Sequence, residues 1–109
     1  MMQYLLTDLS TLTWQPFREG IEAHWLYQIE NGARAAFLRY QPGATAPKHE
    51  HLGYEHIFVL SGSQDDEEGE YPQGSLIVKE PGSIHTPHSE AGCVVLLVWE
   101  KGVKFLEEA

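Results

Sequence analysis

Residues 21–29 and 34–41 are apolar-rich runs on either side of Asn31-Gly32. That dipeptide constrains the chain more than any other, because it supplies the positive-φ pair that a tight β-hairpin turn needs. A tight turn sets Glu30 opposite Ala33, Leu26 opposite Phe37 and His24 opposite Arg39 across the ladder. The pattern then continues as strand after strand. The chain turns at Pro42-Gly43, runs through residues 49–60 into Ser61-Gly62, and resumes at 74–80 and 93–101. The last run contains VVLLVWE, apolar enough to be buried on both faces. Only residues 7–12 suggest a short helical turn, with Asp8 or Ser10 as its cap. Short strands punctuated by turn signals point to an all-β sandwich or barrel.

Within that strand pattern, His49, His51 and Glu55 fall at i, i+2 and i+6, which puts all three on one face of a strand. Gly53 shares the face without a side chain and would leave room above a bound ion. His85 must come from a second strand, delivered by the turn at Pro81-Gly82. Three imidazoles and a carboxylate suit one divalent transition metal, among Fe, Mn, Ni, Co, Cu and Zn, with one or two coordination positions left open. A bare His-x-His also arises in His-rich surface loops; Glu55 and His85 at strand-compatible spacing are what favour a metal here.

Other polar residues are less constrained. His56 follows Glu55 and so faces away from the ligands, while His88 is odd-spaced from His85 across Pro87 and is a candidate for the pocket. His24 and Arg39 are candidates for a polar pair facing the metal, a cationic anchor for a small acid; equally, they fit the outer surface. Cys93 reads as a buried small hydrophobe more readily than as a redox thiol. Tyr40, Tyr54, Trp25 and Trp99 read as core or interface residues. Asp65, Asp66, Glu67, Glu68 and Glu70 crowd into six positions and read as a solvated hairpin tip around Gly69, with a calcium or partner site as the sharper reading.

A length of 109 residues with 42% hydrophobic content closes one core, so a single domain over 1–109 is expected, with its core at about 13–105 and a short extension at 1–12. A formal charge of -9 and the absence of Lys or Arg clusters argue against nucleic acid and anionic membranes. No leader pattern and no long apolar run are visible, and Cys93 is the only cysteine, so a cytoplasmic protein without an intrachain disulfide is expected.

These residues carry a family resemblance. Gly43 to Gly62 reads GATAPKHEHLGYEHIFVLSG and fits the first cupin motif, G-x5-H-x-H-x3-E-x6-G, at every fixed position. The second motif, G-x5-P-x-G-x2-H-x3-N, is matched by Gly74, Gly82 and His85 in register; the proline is displaced to Pro81 and Ser89 stands in place of the asparagine. The stretch HEHLGYEHIFVLSGSQDDEEGEYPQGSLIVKEPGSIHTPHSEAGC more narrowly resembles the ChrR-type cupin domain of zinc-dependent anti-sigma factors and its stand-alone relatives, some of them acetylacetone-dioxygenase-like. The resemblance implies a small RmlC-like jelly-roll barrel with His49, His51, Glu55 and His85 as metal ligands. It does not carry over anti-sigma activity, because in that family partner binding belongs to a separate helical domain ahead of the cupin.

Two functions remain open on sequence. One is a metalloenzyme, dioxygenase-like, that oxidises or cleaves a small carbonyl compound with dioxygen. The other is a metal- or metabolite-binding sensor module. A metal that merely stabilises the barrel is a third reading, and Gly53 argues mildly against it. The strand pattern of Phe58 and Leu60, alternating with the ligand face, together with the resemblance, leads us to expect a homodimer.

Overall fold

A computed structural model describes residues 1–106. Twelve strands are formed: β1 (Gln15–Arg18), β2 (Ile21–Gln28), β3 (Arg34–Tyr40), β4 (Ala44–Thr45), β5 (His49–His51), β6 (Glu55–Asp66), β7 (Gly69–Pro72), β8 (Leu76–Lys79), β9 (Ile84–His85), β10 (His88–Ser89), β11 (Cys93–Trp99) and β12 (Val103–Phe105). All pairings are antiparallel. The larger sheet runs β1-β2-β3-β11-β6-β10-β4, with β7 and β8 also paired to β6, and the smaller runs β12-β5-β9. The two sheets curl around one core as an antiparallel half-barrel. Residues 7–12 form hydrogen-bonded turns and not a helix. Among the described residues no helix is long and apolar enough to cross a membrane.

Alternation explains the core. In β11 the odd positions Cys93, Val95, Leu97 and Trp99 are buried, and they meet Ile21 and Ala23 of β2, Ala36, Leu38 and Tyr40 of β3, and Ile57 and Val59 of β6. Val94, Leu96 and Val98 point to the other face and are only half-buried, so the VVLLVWE run is a two-faced strand. The N-terminal segment lies across part of that outer face, where Tyr4 packs edge-on against Phe37 and His24. Cys93 is buried, and burial pushes its thiol above the ordinary value, which keeps it protonated.

The β2–β3 hairpin forms with a different register from the tight-turn expectation. Ile29 and Ala33 close a three-residue loop, in which Asn31 takes the left-handed φ of 57°. A bulge between Trp25 and Tyr27 then adds another residue. Together these slide the ladder so that His24 faces Phe37 and Arg39 faces Glu22. Arg39 donates to Glu22 Oε1 from Nη2 at 2.7 Å and from Nε at 3.1 Å, so it has a carboxylate partner on the outer face.

A bulge in β6 leaves Leu60 unpaired, and two residues on, Gly62 pairs with Cys93 at a φ of +69°, in the left-handed region. A Cβ there would collide with the Gly92 carbonyl. Gly62→Ala is expected to destabilise the fold by more than the roughly 1–3 kcal/mol of left-handed strain alone, read as a lower midpoint in thermal unfolding.

Candidate metal centre

The four ligand candidates come from both sheets. β5 carries His49 and His51, and β9 pairs with it antiparallel so that His85 lies directly opposite His49. Glu55 does not continue β5: the chain bends at residues 52–53, crosses between sheets, and Glu55 opens β6. Gly53 serves that crossing. A Cβ on it would lie 2.9 Å from Glu100 Oε1 and 3.2 Å from Lys101 Cβ, so its lack of a side chain makes room for that neighbouring segment and not for space above the ligands.

His49, His51, Glu55 and His85 are all buried, and one donor atom from each lies within 4.8 Å of every other. Each imidazole is fixed through Nδ1. That of His49 donates to the Pro47 carbonyl at 2.8 Å, that of His51 to the Ser83 carbonyl at 3.0 Å, and that of His85 to Asp66 Oδ2 at 2.9 Å. These bonds assign the proton to Nδ1 and turn each Nε2 lone pair inward. The Nε2 atoms of His49 and His85 then stand 3.1 Å apart, and His51 Nε2 stands 3.0 Å from Glu55 Oε1. Two lone pairs at 3.1 Å repel unless a cation lies between them. Donors each about 2.1 Å from a shared centre span about 3 Å at a right angle, so the donor set fits a transition metal in its chemistry and these two pairs fit it in spacing.

The electrostatics agree. Burial pushes His49 below the ordinary imidazole value, and pushes His85 down to about 4 against the opposing hydrogen bond from Asp66. Both are therefore neutral and ready to coordinate. Burial also acts to lower His51, but the hydrogen bond and charge of Glu55 outweigh it and raise the imidazole. His51 is thus the first of the three to take a proton as pH falls. Metal affinity is expected to weaken as pH falls, first as His51 takes its proton and further as His49 and His85 follow, measured as retained metal after dialysis from neutral pH down to about 4.

The acidic run divides: Glu67, Glu68 and Glu70 are exposed at the β6–β7 hairpin tip, as expected, while Asp66 is drawn inward. The Asp66 side chain is 1% exposed and that of Lys79 4%, and the two pair at 2.9 Å. Tyr71 donates its hydroxyl to Asp66 Oδ1 at 2.7 Å, and the Glu68 amide donates to the same oxygen at 2.9 Å. Burial alone would raise the Asp66 carboxyl, but Lys79, His85 and Tyr71 hold it well below the usual carboxylate range. Glu67 accepts from the Thr86 amide at 2.8 Å and from its hydroxyl at 3.0 Å, and Asp65 accepts from His88 Nδ1 at 2.9 Å. Three consecutive carboxylates therefore anchor residues 85–88, the segment that presents His85.

His49, Glu55 and His85 border a cavity of about 40 Å³ whose remaining walls are mostly apolar, among them Leu38, Ile57, Leu97 and Trp99. Tyr40 and Gln64 also line it, as does Arg18. The pocket candidates His24, Arg39 and His88 do not. His24 lies among Tyr4, Trp14 and Phe37 with Nδ1 bonded to the Thr13 carbonyl, and Arg39 stacks over Trp14. Both belong to the outer face because the ladder parity of β2 and β3 turns them away from the core. His88 is held by Asp65 and by Glu90. His56 is exposed on the face opposite Glu55. Sequence reasoning missed Asp66 and Lys79 as supports of His85, and Arg18, Tyr40 and Gln64 as cavity residues.

A buried three-His, one-Glu cluster at the junction of two curled antiparallel sheets defines a cupin-type candidate metal centre. Residues 2–103 match the family described as the ChrR Cupin-like domain, and the chain belongs to that family. No curated protein sequence matches it. Among solved structures, it is similar to the Rhodobacter sphaeroides complex of SigE with the anti-sigma ChrR at 26% identity and a TM-score of 0.76, covering 85% of this chain and 52% of that one. It spans about half the length of that relative. An acetylacetone dioxygenase from Acinetobacter johnsonii shares the fold at 17% identity and a TM-score of 0.84, covering 99% of this chain and 80% of that one. An RmlC-like cupin from Ralstonia eutropha JMP134 does so at 19% identity and 0.81, covering 94% and 71%.

Proposed function

We propose that His49, His51, Glu55 and His85 hold one divalent transition metal, among Fe, Zn, Ni and Mn, and that the chain is a small-molecule metalloenzyme acting on a small carbonyl compound in a dioxygenase-like reaction. The observation that carries this reading is the apolar cavity, which borders three of the four ligands directly. A purely structural metal is closed off by its protein ligands, whereas this cluster faces a water-poor space beside its donors. A metal held here would supply Lewis-acid polarisation of a carbonyl and, as Fe(II), electrons for dioxygen.

The chain's own residues would do the rest. Leu38, Ile57, Leu97 and Trp99 exclude water. Burial raises the Tyr40 phenol, so it keeps its proton and serves as a hydrogen-bond donor and not as a base. Gln64 offers a neutral amide in the same cavity. The supporting comparison is the fold shared with the Acinetobacter johnsonii acetylacetone dioxygenase. The test is anaerobic Fe(II) loading followed by an oxygen-electrode assay with simple β-diketones. Oxygen uptake that needs both the iron and the diketone supports the reading. Firmly held zinc with no uptake for any loaded metal overturns it in favour of a sensor module, a reading that the similarity to the ChrR complex supports.

The same proposal includes a single cupin domain over 1–109, a cytoplasmic setting, a small-molecule ligand in place of nucleic acid or membrane, and pairing into a homodimer. Phe58 and Leu60 are half-buried, and the more exposed apolar side chains near them are Leu76 and Val78, whose strand pairs with β6 opposite Phe58 and His56. Burying that face is the expected basis of pairing, and a monomer on gel filtration would remove it.

A further inference from the structure

A cleft of about 470 Å³ adjoins the cavity and shares Phe17, Arg18, Trp99, Val103 and Phe105 with it. Three of the chain's seven basic residues, Arg18, Arg34 and Lys101, line this cleft, and none of its described lining residues is acidic. On a chain of net charge -9 such a concentration of positive charge is a local inversion of sign. The fold assembles it from separate elements: Arg18 ends β1, Arg34 opens β3 opposite Trp99, and Lys101 follows β11. The Arg18 guanidinium lies over the Phe105 ring at 4.6 Å and over Phe17 at 4.9 Å, which holds it at the junction of cleft and cavity. Among the described residues, Arg34 Nε is the one buried side-chain polar atom without a hydrogen-bond partner. Trp25 and Trp99, 5.9 Å apart and tilted by 33°, give the cleft an aromatic wall.

We propose that this cleft binds the anionic end of a small aromatic organic acid, a carboxylate or a phosphate ester, whose other end extends toward His49, Glu55 and His85. The inference rests on the reading of the cavity as a ligand site. Two guanidinium forks and an ammonium match the oxygens of a carboxylate or phosphate, and the tryptophan wall matches a planar ring. The positive field at the mouth would also draw anions toward a protein that otherwise repels them.

The test is titration of the metal-free protein with benzoate, phenyl phosphate, inorganic phosphate and neutral benzamide, read by tryptophan fluorescence at low and high salt. Benzoate or phenyl phosphate is expected to bind at least about tenfold more tightly than benzamide, with affinity falling as salt rises. The tighter of the two names the anion. Arg34→Gln and the exposed Lys101→Gln should each weaken the anion several-fold and leave benzamide unchanged, with far-UV circular dichroism confirming the fold. Equal binding of benzoate and benzamide, or unchanged anion affinity in Lys101→Gln, would overturn the proposal. Inorganic phosphate binding as tightly as phenyl phosphate would overturn its aromatic part. Because no metal is present, failure here with metal uptake intact discards the cleft alone, and loss of metal uptake with anion binding intact discards the metal reading alone.

Discussion

His51→Ala is expected to lower divalent-metal affinity by more than the roughly 10–100-fold typical of losing an outer-shell partner. His51 presents Nε2 to the centre of the cluster, 3.0 Å from Glu55, and its Nδ1 is bonded to the Ser83 carbonyl, which fixes the ring in that orientation. His56→Ala is the matched control. It removes an imidazole five residues along the chain, but one that is exposed on the opposite face of β6, so metal uptake should be unchanged. Titration of both variants with Zn(II) or anaerobic Fe(II) by calorimetry separates the two outcomes. Equal loss in both would mean that the ligand face is misassigned.

Asp66→Asn is expected to act twice. The substitution is nearly isosteric but removes the charge that faces Lys79, whose side chain is only 4% exposed. Lys79 would keep only the longer contact to the exposed Glu68, at 3.7 Å, so the loss approaches the roughly 3–5 kcal/mol of a broken buried pair, visible as a lower denaturation midpoint. The second effect is on the metal. The carboxylate fixes the His85 ring through Nδ1 at 2.9 Å and increases its basicity, and loss of such a support lowers metal affinity about 10–100-fold. A double substitution, Asp66→Asn with Lys79→Met, separates these effects. It should recover much of the stability, because no charge is then left unpaired, while the metal affinity stays low. Full recovery of both would show that Asp66 acts on the metal only through the general stability of the fold.

Much of the cluster of His49, His51, Glu55 and His85 was legible because its spacing is local. His49, His51 and Glu55 lie within seven positions, and the turn before His85 is marked by Pro81-Gly82. What strand parity could not show is that the chain leaves one sheet and enters another between His51 and Glu55. The two residues share a site because two sheets converge there, and Gly53 marks the crossing by yielding space to Glu100 and Lys101. The hairpin shows a related limit. Asn31-Gly32 correctly marked the turn, but one extra loop residue and one bulged residue shifted the ladder, so His24 and Arg39 are not cross-strand partners and both pack against Trp14 on the outer face. Neither insertion leaves a composition signal.

The acidic run was half legible, for a different reason. Glu67, Glu68 and Glu70 are exposed at the hairpin tip, as read, but the partners of Asp65, Asp66 and Glu67, which are Lys79, His85, Thr86 and His88, lie further along the chain and out of view. Only the antiparallel return of β7 and β8 against β6 and the docking of β10 bring them together. An isolated Lys79 in an otherwise apolar strand, LIVK, was the one available sign that a buried acid awaited it. Arg18 and Gln64 gave no comparable sign, since their place in the cavity follows from sheet curvature.

The central claim is that four buried side chains form a metal centre, and its most direct test is the metal content of protein purified without added metal, followed by uptake of Fe(II), Zn(II), Ni(II) and Mn(II) by the stripped protein. One divalent ion per chain, retained on dialysis at neutral pH and absent from His51→Ala, is the expected result. A wild-type protein that carries no metal and takes up none of the four would contradict it.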